Sequence, residues 1–291
     1  MFQEGLLKDK RILVTGGGTG LGREIATQYL RLGAEVWIAG RRGPTLEATA
    51  KEMMADYGGT VRTHPVDIRD AQAVDAMIEH IWTEAGPLTG LVNNAAGNFI
   101  SPTKDLTTNG FNAIANTVFH GSFYVTHSVG KRWIAGGHKG SVISILVTWV
   151  WTGSPYVVPS AMSKAGLHVM TKSLAVEWGR YGIRLNAIAP GAFPTEGASK
   201  RLRPDGKFED GNDKNPMRRI GLMPELQNLA TFLMADGCEW LTGETIAIDG
   251  GGYLANGGSF TELDKLSDAD WDRMRALIKA QNEKDRSGRT A

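Results

Sequence analysis

Two short stretches of this chain hold residues whose types and spacing could do chemistry. The run TGGGTGLG, residues 15 to 22, follows a β-branched run and opens a segment of helical spacing. Glycines at 16, 20 and 22 let a backbone turn tightly and approach a pyrophosphate, whose charge the free amides and positive end of a helix favour. A plain glycine turn between strand and helix is the bland alternative. The second stretch is PSAMSKAG, residues 159 to 166, in which Lys164 stands four residues after Ser160. A cation one turn beyond a hydroxyl can serve a reacting group, and its bland alternative is a solvated helix face. Between the two lies AGRR, residues 39 to 42. Where an NAD-selecting protein commonly puts an acid for the ribose hydroxyls, Arg41 and Arg42 argue for a 2′-phosphate and hence NADP(H), against ordinary surface arginines. Asp67, just past a strand, could accept from an adenine amino group or cap the helix that starts near Asp70.

The elements that must position these residues alternate along the chain. Strands are expected at 11 to 15, 35 to 39, 60 to 66, 90 to 94, 141 to 145, 183 to 189 and 244 to 248, with helical patterns between them. Nearly continuous apolar strands joined by helices suit a parallel sheet covered on both faces, with right-handed crossovers. The fold class is α/β, a Rossmann-type doubly wound parallel sheet of about seven strands, read as a single domain over 1 to 291. Ligands of such a sheet lie beyond the C-terminal strand ends. The polar stretch 195 to 215 reads as a substrate lid, where Arg201, Arg203 and Lys207 could meet phosphates. Residues 255 to 291 read as a C-terminal extension, with an amphipathic segment from Asp268 to Glu283.

Composition removes several classes of function. Lys plus Arg is 32 against 31 for Asp plus Glu, so the net charge of +1 leaves no surplus for a nucleic-acid backbone. The single Cys238 excludes an internal disulfide and a multi-thiolate metal site, and His120 with His127 lack a nearby carboxylate ligand. The longest apolar run, Val142 to Trp151, is about half a membrane span. A soluble cytoplasmic protein without metal, nucleic-acid or membrane partner is expected.

TGGGTGLG, NNAAG at 93 to 97, Lys164 in SAMSKAG and Pro190–Gly191 stand in order after expected strands, and on them the chain resembles the short-chain dehydrogenase/reductase family. Through NNAAGNFISPT, GSPYVVPSAMSKAG, LAVEWGRYGIRLN and the tail from SFTEL it is most similar to the mitochondrial-type 2,4-dienoyl-CoA reductases. The resemblance implies NADPH, a small acyl-thioester substrate and a homotetramer. It also implies cofactor contacts at Gly16, Thr19, Gly20, Leu21 and Gly22, at Asp67 and Ile68, at Asn94 and Ala95, and at Pro190 and Gly191. Lys164 would hold the nicotinamide ribose and favour developing negative charge. Ser160 stands where most of the wider family has tyrosine, as expected of this subgroup. Hydride addition to the far end of a conjugated diene places charge on the thioester oxygen, which calls for hydrogen-bond donors there.

The chain departs from that subgroup at those donors. An asparagine and a tyrosine are expected, and the aligned positions carry His120 and Trp149. A neutral imidazole and an indole each present one N–H, so either could point at an oxyanion. A half-buried structural histidine and a packing tryptophan beside Trp151 are the alternatives. Thr148 is a further candidate donor, whereas Tyr156, eight residues before Lys164, would line the pocket. The leading expectation is NADPH-dependent reduction of an enoyl or 2,4-dienoyl thioester, the auxiliary step of fatty-acid β-oxidation. Its rivals are an NADP(H)-dependent oxidoreductase of a small ketone or alcohol and a non-catalytic NADP(H)-binding protein.

Overall fold

The computed structural model describes residues 1–193, 195, 215–255, 263 and 265–287, with side chains described through residue 277. The chain divides into two compact units, Met1–Tyr253 and Leu254–Ala291. The first holds β1 (Arg11–Thr15), β2 (Glu35–Gly40), β3 (Val61–Pro65), β4 (Gly90–Asn93), β5 (Gly140–Ile145), β6 (Ile183–Pro190) and β7 (Thr245–Ile248). All pairings are parallel, in the order β3-β2-β1-β4-β5-β6-β7. Every expected strand is present, with ends shifted by a residue or so. The order reverses between β1 and β4, and a crevice therefore opens beyond their C-terminal ends.

Alternation along each strand sends side chains to two cores. Ile12, Val14, Val36, Ile38, Val92 and Ile143 face one way and meet α1 (Gly20–Arg31) through Ile25 and Leu30, and α8 (Met223–Met234) through Leu226 and Leu233. Leu13, Trp37, Leu91, Val142 and Leu185 face the other way. They meet α3 (Ala71–Ala85), α5 (Ser122–Gly136) and α7 (Val158–Trp178) through Ile78, Val125, Trp133 and Trp178. All eight residues of β6 are buried, as a strand covered on both faces requires. Each fully buried aliphatic side chain contributes about 1.5–3 kcal/mol. Trp133 closes the second core beneath Gly140, where an added Cβ would stand 2.5 Å from its ring, and its indole N–H donates to Leu88 O at 2.6 Å.

The start of α3 corrects one expectation. Asp70 caps it, accepting from the amides of Gln72 and Ala73, and Asp67 does not. α2 (Gly43–Tyr57) and α4 (Thr108–Ala115) complete the flanks, and α4 runs into a π-helical turn, Asn116–Gly121, before α5. A short helix, α6 (Trp149–Thr152), follows β5, and α9 (Gly252–Ala255) follows β7. In the second unit the amphipathic segment forms α10 (Asp268–Ser287). Apart from Thr195 and Asn215, the expected lid lies outside the described residues, with Arg201, Arg203 and Lys207. Among the described residues no helix is long and apolar enough to cross a membrane, and no cluster of side chains suits a metal ion.

Candidate active site

The crevice is sewn together at its floor. Thr15 Oγ1, at the end of β1, donates to Val92 O at 3.2 Å and accepts from the amides of Asn94 and Ala95, both at 3.1 Å. The Asn94 side chain returns two bonds, to Thr15 O at 3.1 Å and Gly16 O at 3.3 Å. Asn94 therefore fixes the glycine turn through its own amide. Gly16 has φ +66°, and a Cβ at Gly22 would lie 2.3 Å from Asn94 Nδ2 and 2.5 Å from Gly16 O, so neither position has room for a side chain.

Beyond the turn, α1 starts with free amides. Thr19 is extended and exposed, its side chain makes no capping bond, and no acid stands in the first turn. Leu21, in that turn, packs on the first core. Such a start fits a pyrophosphate, and a glycine cradle that admits no side chain fits the close approach of a dinucleotide. Thr195 lies within 4 Å of where a Cβ at Gly20 would be, so this residue stands beside the same turn. Thr195 was missed in the sequence. Its signal was its place four residues after the Pro190–Gly191 pair. Gly191 itself donates to Ile248 O at 3.0 Å.

Arg41 and Arg42 follow β2 on the surface, and neither makes a side-chain hydrogen bond or ion pair with a described residue. Asp67 is differently engaged. Both its oxygens accept from Arg69 Nε at 2.9 Å, and Arg69 holds its carboxyl below the usual carboxylate value, with Arg41 adding a smaller pull. Ile68 is buried beneath Gly121, whose missing Cβ would stand 2.7 Å from Ile68 Cγ1.

The other end of the crevice is built by β5, α6 and α7. Lys164 Nζ donates to Ile145 O at 2.9 Å and to Leu146 O at 3.1 Å, and the residue is only 8% exposed. That excludes the solvated helix face. Burial lowers its pKa from 10.5 to about 8. Ser160, one turn earlier, is 2% exposed, and Thr148, two residues past Leu146, is 9% exposed. Neither hydroxyl makes a hydrogen bond with a described residue. Their neighbours behave otherwise: Ser163 Oγ donates to Pro159 O at 2.6 Å and Thr171 Oγ1 to Leu167 O at 2.9 Å, the usual back-bond of a helix hydroxyl.

Trp149 is half-buried, with its indole N–H unbonded among the described residues. Trp151, two residues on, stacks on Tyr253 with ring centres 4.9 Å apart and meets His168 edge-on at 5.9 Å. His120 is exposed rather than half-buried, with no carbonyl partner among the described residues. The π-helical turn carries it, and its ring lies edge-on to Phe119 at 5.3 Å and tilted to Tyr124 at 6.1 Å. His127 is also exposed, stacked on Phe123. Lys164, Ser160 and Thr148 are thus grouped by β5 and α7, Trp149 adjoins Thr148, and the turn that carries His120 packs on α7 through Phe119 at Gly166 while the His120 side chain itself is exposed.

A glycine cradle at a helix start, an order reversal beside it and a buried lysine over the next strand define a nucleotide-dependent oxidoreductase of the doubly wound class. The family described as enoyl-(acyl carrier protein) reductase matches residues 16–252, and the chain belongs to the short-chain dehydrogenase/reductase family. It is 40% identical over 99% of its length to a Caenorhabditis elegans protein named probable 2,4-dienoyl-CoA reductase, of which 95% is covered. A Bacillus subtilis protein, also named probable 2,4-dienoyl-CoA reductase, is 37% identical over 85% of this chain and 98% of its own. Among solved structures, a short chain dehydrogenase from Bacillus anthracis superposes with TM-score 0.77 at 40% identity, covering 85% of this chain and 98% of that one. A gluconate 5-dehydrogenase from Burkholderia cenocepacia, in complex with NADP and tartrate, gives 0.79 at 28% identity, covering 85% and 96%.

Proposed function

We propose that this protein reduces enoyl or 2,4-dienoyl thioesters of coenzyme A with NADPH. The observation that carries the reading is the pair of hydroxyls of Thr148 and Ser160, on largely buried residues near a buried ammonium, which make no hydrogen bond with a described residue, whereas Ser163 and Thr171 on the same helix as Ser160 are back-bonded. A hydroxyl that no protein group engages is free to donate to a ligand oxygen. The names of the relatives supply the substrate class, and the unpaired Arg41 and Arg42 support a 2′-phosphate.

When bound, NADPH supplies the hydride. The glycine turn and the start of α1 would hold the pyrophosphate, Arg41 and Arg42 the 2′-phosphate, and Lys164 the nicotinamide ribose. Reduction at the far end of the diene leaves charge on the thioester oxygen. Thr148 and Ser160 donate to that oxygen, and the Trp149 indole and His120 imidazole offer N–H donors in place of the absent asparagine and tyrosine. Lys164 favours the charge through its own. A proton from water then reaches the α-carbon, since Trp149 has none to give.

The test is loss of NADPH absorbance with a 2,4-dienoyl-CoA. Binding of NADPH without oxidation across pH 5 to 9 would sink the reading. A second reading, reduction of a small ketone, draws on the gluconate 5-dehydrogenase likeness, and a carbonyl panel separates the two. NADPH binding with no turnover on any substrate would leave a non-catalytic binding protein. We further propose a cytoplasmic homotetramer. Its support is a bare apolar stripe on α7, where Met162, Val169 and Val176 recur every seven residues at 57%, 60% and 88% exposure.

A further inference from the structure

We propose that Tyr156 is a substrate-contacting residue whose strained backbone holds its ring at the mouth of the site, against the acyl chain of the thioester; this rests on the reductase reading above. Tyr156 has φ +65°, a left-handed conformation that a bulky L-residue rarely adopts. It occupies the third place of the turn Ser154–Pro155–Tyr156–Val157, where proline second and φ above zero third ordinarily bring glycine or asparagine. The strain is not offset by burial, because the side chain is 59% exposed. Nor is it offset by bonding: the phenol makes no hydrogen bond, and the ring meets no other ring, among the described residues. What the conformation does achieve is a link. Tyr156 O accepts from Ser101 N at 2.9 Å, tying the segment after β4 to the turn that launches α7.

That turn lies between Thr148 and Ser160 in the sequence, past the C-terminal end of β5, and the hydroxyls of both lack partners among the described residues. An aromatic face with a polar tip at this rim suits an apolar, conjugated chain whose thioester end enters the crevice. The chain then provides the contact area that the free protein leaves uncovered.

Tyr156→Gly separates strain from contact, because glycine adopts the same φ freely. Measured on the full protein, the variant should raise the apoprotein Tm by about 2 °C and leave the NADPH Kd within about twofold. It should raise KM for dienoyl-CoA by about 5- to 30-fold, most for long chains, with kcat little changed. Tyr156→Phe should bring both Tm and KM back toward the parent. An unchanged KM at every chain length, with the parent active, would overturn the role of Tyr156 alone. A parent that turns over no thioester would overturn the reductase reading and this inference with it. A Tm that depends on protein concentration in the parent and not in Tyr156→Gly would also overturn it, by making a second copy the ring's partner.

Discussion

Lys164 reaches the carbonyl oxygen of Ile145 at 2.9 Å, so the ammonium is seated by the end of a central strand rather than by solvent. Its folded pKa of about 8 lies below the ordinary lysine value of 10.5. kcat/KM should fall as pH rises through about 8, the free-enzyme value. Lys164→Arg should carry that limb upward, and Lys164→Ala should lower the rate on the order of 100-fold. The sign for stability is opposite. The unfolded chain binds the extra proton between pH 8 and 10.5, so this group's contribution to apoprotein stability rises with pH across that window. Tm against pH for parent and Lys164→Met checks it.

Removing a donor should act on kcat more than on KM. Thr148→Val and Ser160→Ala should each lower kcat by about 10- to 100-fold. Trp149→Phe keeps the area and removes the N–H, so a loss of the same order identifies the indole as a donor. An unchanged kcat assigns it to packing. His120→Ala is read in the same assay, and an unchanged rate would confine His120 to the surface.

Arg41→Ala with Arg42→Ala should raise the NADPH Kd by about 10- to 100-fold and leave NADH unaltered, since a bond to a charged group is worth about 1.5–3 kcal/mol. Equal losses for both nucleotides would dismiss the 2′-phosphate assignment. Titration by fluorescence at fixed salt measures this.

Gly22→Ala should weaken NADPH binding by more than about 10-fold. Removing Asn94 as well should not restore it, because Gly16 O would still stand 2.5 Å from the new Cβ. Recovery in the double variant would show that the turn can shift.

Val169→Glu should split the assembly, because it places a charge in the middle of the α7 stripe. Light scattering on parent and variant checks it. A monomeric parent would remove the tetramer proposal.

The layout of the sheet was legible because parallel strands buried on both faces carry long β-branched runs, as in RILVT and IRLNAIA. The glycine turn was legible for the same kind of reason, since a strand, a tight turn and a helix start leave a local signature. Other features depend on contacts and backbone conformations that residue types do not announce. The π-helical turn that exposes His120 forms where Gly121 lies on Ile68, and nothing within the helix announces it. The capture of Asp67 by Arg69, two residues on, depends on the turn that brings the two side chains together, which residue type does not display. Tyr156 was hidden by its identity: the proline before it signalled a turn, but its side chain concealed the sign of φ.

The hydroxyl of Thr15 is committed to three partners across β1 and β4. A crevice braced in this way has its width set before any ligand arrives, so little ordering entropy remains to be lost there on binding. Adaptation on binding is then left to segments outside that brace, so the floor of the crevice acts as a fixed gauge against which any ligand must fit.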